Sequence, residues 1–102
     1  MKALVIKPAE QTIETTEIAG KEDIINLIGY ETVIADQVDD NGDQLFFDEE
    51  CFLRGTEGRF QIDKLIPVSG LGVIVGSNED GTLKDIGSDI DNIRSRIKFL
   101  SS

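Results

Sequence analysis

The apolar positions fall into short runs separated by polar or glycine-rich breaks. Ala3-Leu4-Val5-Ile6 is a run without alternation, closed by Pro8, and predicts a strand buried on both faces inside a sheet. Thr12 to Ile18 is rich in Thr and Ile, which favours a second strand despite its two Glu residues, and Gly20 ends it. From Lys21 the apolar residues change period: Ile24, Ile25, Leu27 and Ile28 form a helical stripe. Glu22 and Asp23 occupy its first turn, and Gly29 is placed as a C-cap.

Tyr30 to Val38 is again β-rich, and Asn41-Gly42 behind it predicts a two-residue hairpin turn returning along Gln44 to Asp48. In that register Val38 pairs with Leu45 and Asp36 with Phe47. Ile34, Val38, Leu45 and Phe47 then share one face, and Val33, Ala35 and Phe46 the other. Glu50 to Gly58 reads as a loop, Arg59 to Ile62 as a short strand, Leu71 to Gly76 as another buried strand, and Leu83 to Ile86 as its short partner. A final helix opens at Ser88 with a capping-box-like Asp91. Ile90, Ile93 and Ile97 form its buried stripe, and Arg94, Arg96 and Lys98 suit its C-terminal end.

The resulting order, β-β-α-β-β-(β)-β-β-α, predicts one α+β domain over residues 1–102, a mostly antiparallel sheet with two helices packed on it. Three segments carry a resemblance: the opening Met1-Lys2-Ala3-Leu4-Val5-Ile6-Lys7-Pro8, the helix end Leu27-Ile28-Gly29-Tyr30-Glu31, and the strand end Asp48-Glu49-Glu50. In this order they resemble the small bacterial and phage proteins grouped as domain of unknown function family 3846. The resemblance implies a cytoplasmic protein of a bacterium or phage, and carries over no activity and no catalytic residue.

Composition narrows the chemistry. With no His, no Trp and a single Cys among 102 residues, His-based triads, His metal sites and paired-cysteine chemistry are excluded. No cofactor and no resident metal are expected. The net charge is −10, and all of the excess lies in residues 1–51, which hold thirteen acids and three bases. Such a balance opposes direct contact with nucleic acid or an anionic membrane surface, and favours a basic protein partner if the acids are used at all. The four apolar residues after Lys2 are too few for a secretory signal, and no run is long enough to span a membrane, so an intracellular protein with reduced Cys51 is expected.

Four patterns invite a functional reading. Asp39, Asn41, Asp43 and Glu50 fall at positions 1, 3, 5 and 12 of a calcium-loop pattern, but Gln44 stands where that loop needs glycine and the flanks read as strands. Asp48 and Glu50 beside Cys51 suit a carboxylate pair, although consecutive strand residues alternate in direction and Cys51 has no activating His. The glycines of Gly70 to Gly76 resemble a phosphate loop but lie in or before a strand, where close packing is the simpler explanation. Lastly, Asp36, Asp39, Asp40, Asp43, Asp48, Glu49 and Glu50 would place about one carboxylate per 3.4 Å along the hairpin, the charge density of a DNA strand.

These seven acids are the candidate partner-binding residues. The leading expectation is a non-enzymatic accessory or regulatory domain acting through protein contacts. An acidic nucleic-acid mimic that occupies a basic protein, and a small-molecule or metal-dependent enzyme, remain as alternatives.

Overall fold

In the computed structural model, which describes residues 1–54 and 58–100, the chain is an α+β fold built mostly of antiparallel sheet. The elements in order are β1 (Lys2–Lys7), β2 (Thr12–Glu17), α1 (Lys21–Ile28), β3 (Val33–Gln37), β4 (Asp43–Asp48), a 3₁₀ turn (Cys51–Leu53), β5 (Arg59–Ile62), β6 (Val68–Ser69), β7 (Gly72–Ser77), β8 (Leu83–Lys84), α2 (Ile90–Arg96) and β9 (Ile97–Leu100). The larger sheet runs β2-β1-β7-β4-β3, with β8 paired to the far end of β7. A smaller sheet runs β6-β5-β9.

The non-alternating apolar runs sit where both faces of the large sheet are covered. Leu4, Ile6, Leu45, Phe47 and Ile74 point into one apolar cluster with Phe60, Ile62 and Val68 of the small sheet and Ile93 of α2. Their neighbours Ala3, Val5, Phe46, Val73 and Val75 point the other way, into a cluster with Ile24 and Ile28 of α1. The large sheet is thus the middle layer. Burying one such Ile or Val fully contributes about 1.5–3 kcal/mol, and β1 and β7 do so on each side. Helix α1 ends as its sequence implies, on Gly29 at φ 92°, whose N–H donates to the Ile25 carbonyl at 2.7 Å.

The hairpin register differs from the expected one. Asp36 lies opposite Leu45 and Ile34 opposite Phe47; the Val38 N–H donates to the Asp43 carbonyl at 2.9 Å, and the loop spans four residues, Asp39 to Gly42. A two-residue type I′ turn needs positive φ at both central positions, and here Gly42 adopts it while Asn41 does not. The Asn41 side-chain oxygen instead accepts from the Asp43 N–H at 3.1 Å, closing a local turn that sets Asp43 inward. The shift is by two residues, so the predicted division of faces survives.

The C-terminal helix is shorter than its stripe predicts. Asp89, not Ser88, caps it by accepting from the Asn92 N–H at 2.7 Å, and the helix stops at Arg96. Ile97 therefore does not belong to a helical stripe: residues 97–100 form β9 along β5, with Ile97 opposite Ile62 and Phe99 opposite Phe60. Ile97 and Phe99 pack against the first cluster while Lys98 is exposed, a period-two pattern that suits a half-buried strand.

Candidate functional site

The hairpin acids serve two ends. Asp43 is fully buried at the start of β4, and its carboxylate accepts from the amides of Gly87 at 2.8 Å and Ser88 at 2.9 Å. Asp39 accepts from the Ser88 hydroxyl at 3.0 Å and from Arg96 at 2.9 Å. Arg96 also donates to Asp63, to the Val38 carbonyl and to Asn92, and its pKa is held above the ordinary range by the Asp63 hydrogen bond first, then by Asp39, against some burial. Both acids therefore fasten the hairpin tip to the start of α2 and the end of that helix. They are internal anchors.

At the other end of β4, Asp48 is also buried. It accepts from the Thr32 hydroxyl, from the Glu50 N–H at 3.0 Å and from Arg54 Nε at 3.1 Å. Burial pushes its carboxyl up, but these hydrogen bonds and the Arg54 charge outweigh burial and hold it below its ordinary value. Arg54 spans the neighbourhood: it pairs with Glu50 at 3.1 Å, donates to Thr32 at 3.2 Å, and stacks over the Tyr30 ring at 4.2 Å. Asp48 and Glu50 therefore share one guanidinium. The arrangement is a shared ion pair in which the Asp48 carboxyl is held below its ordinary value.

Of the seven candidate acids, Asp40, Glu49 and Glu50 are exposed and Asp36 is half-buried; Asp39 is half-buried and tied down, and Asp43 and Asp48 are enclosed. The expected row of carboxylates is broken at its centre. The calcium-loop pattern is likewise separated, since Asp43 begins β4 and Glu50 lies beyond its other end, with about 17 Å of strand between Asp43 and Asp48. Among the described residues no group of three or more acidic or Cys side chains is placed to hold a metal ion. The glycines of β7 serve close packing: a Cβ at Gly72 would meet Phe60 at 2.6 Å, and one at Gly76 the Asp85 carbonyl at 2.4 Å.

Beside Asp48 lies a cavity of about 330 Å³, walled by the β1–β2 turn (Lys7 to Glu10), by Ile28 and Tyr30 after α1, and by Cys51 and Ser69 to Leu71. Cys51 is buried in the first cluster and its Sγ accepts from the Ser69 N–H at 3.5 Å, the packed role expected for it. Next to it the 3₁₀ turn carries Phe52, 49% exposed, and Leu53, 83% exposed; Arg59 lies 5.1 Å over the Phe52 ring. Phe60, by contrast, is wholly enclosed.

Sequence reasoning passed over Thr32, Tyr30, Arg54 and Arg96. Arg96 was legible only as a helix-end cation because Asp63, Asp39 and Val38 lie 33 to 58 positions away. Arg54 was legible only as a loop residue, although Asp48 and Glu50 are six and four positions from it, because Thr32, which completes the cluster, is 22 away. No family model, no curated protein and no solved structure matches the chain significantly. No helix among the described residues is long and apolar enough to cross a membrane.

Proposed function

We propose that this chain is a non-enzymatic accessory or regulatory domain that acts by binding another protein, in the cytoplasm of a bacterium or phage-infected cell as the resemblance to domain of unknown function family 3846 implies. The observation that supports it is the Phe52-Leu53 turn: two large apolar side chains stand adjacent and solvent-facing, Leu53 at 83% exposure, next to the exposed acids Glu49 and Glu50. An apolar anchor with a charged rim is the anatomy of a contact patch, and Glu49, which has no ion pair among the described residues, favours a basic counterpart. The acidic-mimic reading fits less well, since its row of charges is interrupted by Asp43 and Asp48.

Affinity capture from the host lysate with the parent chain and with Leu53→Asp tests this. The substitution is at the surface, where the effect on stability is about ±0.5 kcal/mol, so the fold is kept. The parent is expected to retain a basic protein that Leu53→Asp loses, with capture weakening as salt rises. Equal capture by both forms would remove the turn from the interface.

A further inference from the structure

The outer side of β3 is an open sheet edge. In an antiparallel pair the residues alternate between those whose backbone groups face the partner strand and those whose groups face away. The Val38 N–H donates to the Asp43 carbonyl, and at the other end the Glu49 N–H donates to the Thr32 carbonyl, at 2.7 Å. Even-numbered residues of β3 therefore bond to β4, and the N–H and C=O groups of Val33, Ala35 and Gln37 point out of the sheet. Among the described residues no strand pairs with this side. Ile34 and Ala35 are exposed there, Ile34 at 39%.

Edges of this kind are commonly blunted by Lys, Pro or a bulge, and Val33-Ile34-Ala35-Asp36-Gln37 has neither residue and pairs with β4 at five consecutive positions. The other edge, β2, differs. Helix α2 packs against it, and Lys7 on the adjoining strand reaches across to Glu14 at 2.9 Å. Residues 22–53 contain ten acids and no Lys or Arg. Arg54 and Arg96, which reach the two ends of β3 at Thr32 and Val38, are paired with Asp48 and Glu50 and with Asp39 and Asp63, while Glu31, Asp36, Asp40 and Glu49 remain exposed or half-exposed. A second copy would bring like charges together.

We infer that β3 is a docking edge for an extended basic segment of another protein, which adds as a sixth strand to the β2-β1-β7-β4-β3 run. The backbone groups of Val33, Ala35 and Gln37 supply the ladder. Ile34 and Asp36, two residues apart on one face, prefer an apolar and a basic side chain at the corresponding positions of the incoming strand. This deepens the protein-binding reading and rests on it, while using a surface distinct from the Phe52-Leu53 turn.

The probe is a synthetic peptide of about eight residues alternating Lys with Val and Thr, with a Glu-for-Lys peptide as control, titrated into the isotopically labelled full chain. Hydrogen exchange is expected to slow at the Val33, Ala35 and Gln37 amides, with little change at Ile34 and Asp36, which are already bonded within the sheet. Ala35→Pro removes an outward donor at an edge position and should weaken the peptide at least about tenfold, while Asp36→Asn should weaken it several-fold at low salt only. Exchange protection in the parent chain stands as evidence even if a variant misfolds. Unchanged exchange at these three amides, equal binding of the Glu peptide, or edge protection caused by self-association without peptide would each overturn the proposal. Shifts confined to Phe52 and Leu53 would overturn strand addition and leave the protein-binding reading in place.

Discussion

Asp43 shows how a residue's chemistry can be right and its use misread. A carboxylate at a hairpin tip suggests solvent, yet this one is enclosed because the Gly87 and Ser88 amides need acceptors where α2 begins. Replacing it by Ala is expected to lower stability by about 1–3 kcal/mol, read as a fall in urea midpoint, because those donors lose their partner. For the same reason Asp39, Asp40 and Asp43 cannot be neutralised together as a test of surface charge alone; Asp36, Asp40 and Glu49 are the set that leaves the anchors intact. The depressed carboxyls set the acid limit. Asp48 and Asp63 both lie below the ordinary 3.8, Asp63 chiefly through its hydrogen bond to Arg96. A lowered folded value means that the contribution is complete above the unfolded value and disappears as pH falls through the folded one. Stability should therefore hold down to about pH 4 and drop below it, and Asp48→Asn should flatten that drop relative to the parent at a cost in stability at neutral pH.

At the scale of elements, legibility followed locality. The runs Ala3 to Ile6 and Gly72 to Val75 read correctly because a strand covered on both faces has no polar alternation to confuse it, and Gly29 read correctly because a left-handed cap is a local demand. The hairpin turn and the last helix were misread because some of the deciding contacts are remote. Asn41-Gly42 favours a tight two-residue turn by itself; here the Asn41 side chain closes a local turn on the Asp43 N–H, and amides 44 and 45 positions further on hold the Asp43 carboxylate inside. Ile90, Ile93 and Ile97 satisfy helical spacing, while Ile97 and Phe99 also satisfy strand spacing, and the presence of β5 alongside selects the second. Of the candidate site, the exposed acids were legible and the Arg54–Asp48–Thr32 cluster was not. Ile93, wholly enclosed, remains the residue through which α2 covers the core, and Ile93→Ala should cost about 2–5 kcal/mol in chemical denaturation.

Across the whole molecule, the excess negative charge and the structural demand for carboxylates overlap only in part. Asp39, Asp43, Asp48 and Asp63 are held by internal donors, whereas Asp40 and Glu49 remain exposed with no ion pair among the described residues. The central position of β7 has a separate consequence. β1 and β4 each pair with β7 and not with each other, so up to Leu71 the large sheet consists of two hairpins with no strand to join them. At synthesis rates of about 5–20 residues per second, roughly 1–5 s pass between completion of β4 at Asp48 and the addition of Gly72. Throughout that interval the inner edges of both hairpins, with Leu4 to Ile6 and Leu45 to Phe47, are open templates for mispairing. A nascent chain stalled short of Gly72 is thus a substrate for chaperones and proteases, and the same chain with Ser77 clear of the ribosomal tunnel can close its middle layer in a single step.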